Sequence, residues 1–233
     1  MRPILYKQNA SPPARAVMMV IDILGIDVDL QDLNPVFREQ DAPEFKKKNP
    51  MRTIPIYDEG DFWMADSHAI IIYLIEKYGK PQHSHLYPAD PRKRAVINQR
   101  LFFDCGVLFP RLRSVMAPTY MQRLGEMSKS MIRNINDAYS MLEDYLSENL
   151  YMADNVITIA DISVVSTIGT LCGLVPIDGN KYPKLNKWLQ NMNEQEYCKK
   201  INIPGGLEHS DGLKILMEMN KHNQAQAKAK SKL

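Results

Sequence analysis

Cysteine is scarce in this chain, with only Cys105, Cys172 and Cys198 among 233 residues. They are far apart, odd in number and never spaced Cys-x-x-Cys, which excludes a disulfide scaffold and gives neither a zinc site nor a redox dithiol. A reducing, intracellular setting suits them best. An excess of charge of one sign is missing too. Lys and Arg number 29 against 27 Asp and Glu, and a net charge of +2 gives no electrostatic reason to expect nucleic acid. No run of about 18 apolar residues is available to span a bilayer. Met1-Arg-Pro-Ile-Leu-Tyr6 leads straight into a strand-like segment, without the apolar core of a signal peptide. The expectation is a soluble, unexported protein that recognises its ligand locally. What is present is ordinary globular composition, 45% hydrophobic and 24% charged, enough for one large domain or two small ones.

The first eighty residues alternate short strand-like runs with helical ones, the pattern of an α/β unit. Ile4 to Tyr6 reads as a strand. Pro12 opens a helix in which Val17, Val20, Ile21 and Leu24 recur at spacings of three and four until Gly25 caps it. Val28 to Leu33 reads as a second strand, and Pro43 to Lys48 as a short helix stopped by Asn49-Pro50. Thr53 to Tyr57 and Phe62 to Met64 flank Asp58-Glu-Gly-Asp61 and predict a hairpin. Asp66 to Tyr78 predicts an apolar helix closed by Gly79. The order is βαβ, short helix, ββα over residues 1–80.

Residues 81–91 hold three of the chain's prolines and no apolar period, which marks an interdomain linker. Residues 92–220 read as an all-α bundle. Arg92 to Met116 forms one long amphipathic helix bent by Pro110. Further helices run from Met127 to Leu146, Thr158 to about Leu174 and Pro183 to about Glu194. Thr158-Ile-Ala-Asp161 has capping-box spacing. Residues 221–233 are polar and basic and are expected to form a flexible tail.

Three features give candidate chemistry. Ser11 precedes the prolines of the first helix, where its hydroxyl caps the helix or points into a cleft. Pro55 follows Ile54 at the start of the third strand, where a trans bond is the default from the residues alone and a cis bond would turn the Ile54 backbone toward a ligand. Asp66-Ser67 opens a helix, either as a simple cap or as a site for a carboxylate or an ammonium group. In such a sheet all three lie at the end where ligands collect.

Ser11-Pro-Pro-Ala-Arg15, Asn49-Pro-Met-Arg-Thr-Ile-Pro55, Asp66-Ser-His-Ala-Ile70, Asn98-Gln-Arg100 and Gly106-Val-Leu-Phe-Pro-Arg-Leu-Arg113 resemble cytosolic glutathione transferases of the insect delta and epsilon classes, the epsilon class most closely. The match runs from about Ile4 to about Leu216. The resemblance implies a thioredoxin-like N-terminal domain that binds glutathione, a helical C-terminal domain that supplies the electrophile pocket, and a homodimer without metal. It implies that Ser11 donates a hydrogen bond to the glutathione sulfur and that the Ile54 backbone pairs with the cysteinyl part. It further implies that Pro55 is cis, and that Asp66 with Ser67 holds the γ-glutamyl end.

Two positions depart from the family pattern. Met51-Arg52 stands where Gln-His is usual, so a guanidinium takes over the glycine carboxylate, and Gln40 replaces a second histidine toward the same group. His68 sits beside Ser67, within reach of the γ-glutamyl carboxylate. Pro13, Phe109, Leu112, Arg113, Met116, Tyr120 and Leu207 match or neighbour wall positions of the hydrophobic pocket. At helical spacing such a stripe also reads as core, and Arg113 also reads as a surface charge. The implied activity is conjugation of glutathione to hydrophobic electrophiles, for detoxification or endogenous metabolism. The alternative, favoured by Met51-Arg52, is a carrier of apolar ligands with little catalysis. Cytoplasm is the expected location; Ser231-Lys-Leu233 spells a peroxisomal address as the alternative.

Overall fold

The computed structural model describes residues 2–34 and 37–230. Strand β1 (Ile4–Lys7) leads through a short loop into helix α1 (Pro12–Leu24), followed by β2 (Asp29–Asp32), α2 (Pro43–Lys48), β3 (Ile56–Asp58), β4 (Trp63–Ala65) and α3 (Ser67–Tyr78). The sheet order is β2-β1-β3-β4, with β1 parallel to β2 and the remaining pairs antiparallel. This is a thioredoxin-like arrangement. Leu5 and Tyr57 on the sheet are fully buried against Val17, Val20, Ile70, Ile71 and Leu74 of α1 and α3, so one face of each helix supplies the core. Gly25 ends α1 with φ 64, a left-handed cap that suits a residue without Cβ. The hairpin is tied by Glu59, which accepts hydrogen bonds from Tyr73 (2.6 Å), Lys77 (2.6 Å) and Tyr78 (2.6 Å) of α3.

The third strand starts at Ile56 rather than at Thr53. Pro55 has no N–H for the ladder, and the Ile54–Pro55 bond is cis, as the family resemblance implies and against the default from the residues alone.

The second half is helical: α4 (Pro91–Phe103), α5 (Phe109–Tyr120), α6 (Lys129–Tyr145), α7 (Ile159–Leu174), α8 (Pro183–Asn193) and α9 (Ile203–Lys230). The sequence predicts one bent helix from Arg92 to Met116. In the structure the helical backbone is continuous from α4 through a π-helical turn, Asp104–Leu108, into α5, and Pro110 follows directly after that turn. The expected cap of α7 is present, with Asp161 accepting from the Thr158 amide at 2.9 Å and from the Trp188 indole at 2.9 Å. The bundle also contains α9, which the sequence pattern did not mark out. It continues to Lys230 across the stretch expected to be a flexible tail from 221. Alanines and long unbranched side chains there are good helix formers, and Asn220 ties the helix to the carbonyls of Thr119 and Leu124, both at 2.9 Å. Residues 231–233, with the candidate peroxisomal tripeptide, lie outside the described residues.

Helix α9 begins against the N-terminal domain. A Cβ on Gly205 would lie 2.3 Å from the Asn9 carbonyl oxygen, so only glycine lets the helix seat on the loop that leads to Ser11. A cleft of about 550 Å³ opens elsewhere, between α1, β2 and the start of α9, and includes none of Ser11, Ile54, Asp66 or Ser67.

Candidate functional site

Strand register brings the candidate groups together. Tyr6, near the end of β1, pairs with Ile56 at the start of β3, and Ile56 pairs with Ala65 at the end of β4. Ser11 follows the first of these, Ile54 precedes the second, and Asp66 follows the third, so all three stand at one end of the sheet.

Each arrives with unused hydrogen-bonding capacity. Ser11 caps α1, its Oγ accepting a long bond from the Ala14 amide at 3.5 Å, and no described residue accepts its hydroxyl proton. Ile54 lies outside the ladder, and its amide and carbonyl have no described partner. Asp66 adopts φ 77 and caps α3 through Oδ1 alone, which accepts from the His68 (2.9 Å) and Ala69 (3.1 Å) amides. Its Oδ2 has no described partner, and neither does the amide or hydroxyl of the buried Ser67. A free carboxylate oxygen beside a free N–H and O–H matches the ammonium and carboxylate of an amino-acid end.

Gln40 and Arg52 both lie beside Asp41. Arg52, with φ 54, places Nε 3.9 Å from Asp41, whose charge is also held by Arg38 at 2.6 Å. The Oε1 of Gln40 is enclosed without a partner.

His68 turns toward protein groups. Its Nε2 lies 3.2 Å from Asp104 Oδ2 and its Nδ1 3.4 Å from Asp66 Oδ1. Burial opposes charge on the ring, but Asp104 and Asp66 overcome it and push the imidazole up to about 10, so it is an imidazolium at neutral pH. The His68 ring in turn holds the Asp66 carboxyl below its ordinary range. Asp104, buried in the π-turn, also accepts from Ser163 and from Thr167 (2.8 Å) of α7. Asp66, His68 and Cys105 bring donor atoms within 4.8 Å of one another. An imidazolium has no lone pair for a metal, so this trio would have to lose a stabilised proton first.

The proposed apolar wall is only partly surface. Phe109, Arg113, Met116 and Tyr120 recur at i, i+4, i+7 and i+11 along α5; Phe109 and Met116 are half-buried, and Arg113 and Tyr120 exposed. Leu207 on α9 is exposed and Pro13 half-buried. Leu112 departs from the sequence expectation. With 0% exposure it belongs to the core and offers a ligand no surface, because it lies on the neighbouring stripe of α5, turned inward with Val115 and Thr119.

Models of the glutathione S-transferase N-terminal and C-terminal domains match residues 5–82 and 107–196. The chain belongs to the glutathione S-transferase family. Glutathione S-transferase 1 of Manduca sexta is 43% identical over 203 residues, 86% of this chain and 92% of the relative. An epsilon-class glutathione S-transferase from housefly, Musca domestica, superposes with a TM-score of 0.89 at 35% identity, over 92% of this chain and 98% of that one. A glutathione transferase homolog from Drosophila mojavensis, solved with bound glutathione, gives 0.87 at 38% identity, over 91% and 96%. These place the transferase with the insect delta and epsilon type.

The transferase holds further groups to which the sequence pattern assigned no role. Arg15, fully buried, lies behind Ser11. Its guanidinium donates to the Ala10 carbonyl (2.6 Å), Asn202 Oδ1 (2.9 Å), the Ser166 carbonyl (2.6 Å) and Thr170 Oγ1 (2.9 Å), with no carboxylate among them. Burial lowers its pKa to about 9, which leaves it charged at neutral pH. His209 accepts or donates at both ring nitrogens, 3.3 Å from Thr170 Oγ1 and 3.0 Å from Tyr120 Oη. The readable signal for Arg15 and Asp104 was a charge set among apolar residues on the inward face of a helix; His209 carried none.

Proposed function

We propose that the Ser11 hydroxyl donates a hydrogen bond to the sulfur of bound glutathione, keeping it as the thiolate that attacks hydrophobic electrophiles. A thiol with a pKa near 8.5 is only a few per cent ionised at neutral pH, and each unit of lowering takes about 1.4 kcal/mol. Pro12 and Pro13 lack N–H groups, so the first turn of α1 presents fewer amide donors than a helix start ordinarily does. That makes the hydroxyl the principal local donor, with the buried Arg15 charge adding positive potential behind it. The unused Ser11 proton carries this reading.

In the same proposal the γ-glutamyl ammonium pairs with Asp66 Oδ2, its carboxylate with Ser67, and the cysteinyl backbone with Ile54. Gln40 and Arg52 take the glycine carboxylate, which a guanidinium can hold with two parallel bonds. His68 acts by fixing Asp66 rather than by touching the ligand. Pro13, Phe109, Arg113, Met116, Tyr120 and Leu207 border the electrophile. We also propose a homodimer, supported by Phe102 of α4, which is 72% exposed, acting in the cytoplasm without metal.

Calorimetric titration of the full chain with glutathione tests the cradle. Saturable binding is expected, weakened about 10- to 100-fold in Asp66→Ala by the loss of a charge-assisted hydrogen bond. No saturable binding to the wild type at millimolar glutathione contradicts the proposal and leaves the carrier of apolar ligands.

A further inference from the structure

Three metal-ligating side chains converge beside the proposed ammonium site. Asp66, His68 and Cys105 bring one donor atom each within 4.8 Å of one another, the first two from the start of α3 and the third from the π-turn after α4. The imidazole is oriented from behind. Carboxylate oxygens accept, and those of Asp104 accept from Ser163 and Thr167 of α7. His68 Nε2, which faces Asp104 at 3.2 Å, therefore carries a proton and donates it. Nδ1 is left on the Asp66 side, 3.4 Å from Oδ1 but out of line for a hydrogen bond, enclosed and without a partner. Asp66 Oδ2 is unpartnered as well, because both cap bonds go to Oδ1. The Cys105 thiol is exposed and free to turn toward both. A ring whose rear nitrogen donates to a carboxylate while its front nitrogen is bare has the outer support that a metal-binding histidine ordinarily has.

We propose that Asp66 Oδ2, His68 Nδ1 and Cys105 Sγ bind a zinc ion that excludes glutathione, the exclusion resting on the proposed pairing of the γ-glutamyl ammonium with Asp66. Zinc suits a set of one carboxylate, one imidazole and one thiolate, with water completing the tetrahedron. Donors around tetrahedral zinc stand roughly 3.3–3.8 Å apart, so side-chain movements of about 1 Å close the site. Carboxylates at both nitrogens of the ring favour positive charge between them. Without metal a proton sits on Nδ1, and a dication is held more strongly by the same field. On binding, that proton and the thiol proton pass to solvent. The ligated Asp66 can no longer receive an ammonium, so the ion is an inhibitor, and the transferase reaction itself proceeds without it. The cysteines show no zinc spacing in the sequence because only one thiol takes part.

The test is calorimetric titration of the full chain with zinc chloride, the thiols kept reduced by a phosphine. One ion per chain, saturating at micromolar zinc, is expected. Cys105→Ala and His68→Gln, shown to be folded by a thermal melt, are each expected to weaken binding by more than about 100-fold, beyond the effect of losing an outer partner. Cobalt(II) in place of zinc should give the wild type a thiolate-to-metal absorption band that Cys105→Ala lacks. A wild type that binds no zinc at these concentrations, or variants that bind it as the wild type does, overturn the site. Exclusion is read with S-methylglutathione, whose blocked sulfur does not sequester the ion. Zinc at ten times its dissociation constant is expected to raise the apparent dissociation constant of S-methylglutathione about 10-fold in the wild type and to leave it unchanged in Cys105→Ala, which keeps the whole proposed cradle. An unchanged value in the zinc-loaded wild type overturns the exclusion. A wild type that binds zinc through the trio but never binds S-methylglutathione overturns the cradle reading, and the exclusion with it, while the zinc site stands.

Discussion

Helix α7 carries two polar networks on adjacent stripes, and they solve the burial of charge in opposite ways. Ser163 and Thr167, one turn apart, hold Asp104 and through it His68, so an anion is buried with a cation partner. The Ser166 carbonyl and Thr170, also one turn apart, hold Arg15, a cation buried among neutral acceptors only. The first network reaches α3 and orients Asp66. The second reaches α1, the start of α9 and the residue before Ser11. A paired network depends on the protonation of its histidine, whereas a guanidinium surrounded by dipoles keeps its direction at any ordinary pH. In the proposed function the paired side grips the charged end of glutathione, and the unpaired side lends positive potential near the proposed position of the sulfur.

The comparison is broken most strongly at Arg15. Arg15→Met strips four acceptors of their donor. Each costs about 1–3 kcal/mol, offset in part by no longer burying a charge, so a net loss of about 3 kcal/mol is expected. A thermal melt should show the midpoint falling by roughly 6–12 °C, and Lys, with no planar fork, should not restore it. Asp104→Asn breaks the other side more gently, by about 2 kcal/mol in denaturant unfolding, because the amide keeps one acceptor oxygen.

Stability as a function of pH sharpens the contrast. His68 has a folded value of about 10, above the ordinary 6.5. Its contribution is complete below pH 6.5 and is lost as pH rises through about 10. His209 has a folded value of about 4, below the ordinary 6.5, so its network is intact above pH 6.5 and weakens as pH falls toward 4. The acid loss is smaller, because the shift behind it is smaller. Unfolding curves collected across this range should show His68→Gln removing the alkaline slope alone and His209→Gln the acid slope alone.

The short-range patterns were legible in the sequence. The apolar period of α1, the turn at Asp58 to Asp61 and the cap at Thr158 rest on neighbouring residues, and each appears in the structure. The resemblance to glutathione transferases anticipated the cis bond before Pro55, which propensity alone does not. What stayed hidden depends on distant partners. Arg15 meets Asn202 across 187 positions and Tyr120 meets His209 across 89, and no local spacing announces either. A bend is expected at Pro110 because proline is the visible helix disruptor. The irregularity in the structure is the π-turn just before it, which turns Asp104 inward to α7. Leu112 was taken for pocket because one stripe of a helix cannot be told from the next without knowing what packs on it.

The central claim is that one hydroxyl sets the ionisation of the bound sulfur. It is tested most directly by following the ultraviolet absorbance of the thiolate against pH for glutathione bound to wild type and to Ser11→Ala, with binding confirmed calorimetrically for both. A midpoint below the ordinary 8.5 in the wild type, rising by about 1–2 units in the variant, is predicted, equivalent to about 1.4–2.8 kcal/mol from one charge-assisted hydrogen bond. Coincident midpoints in two proteins that both bind glutathione would contradict it.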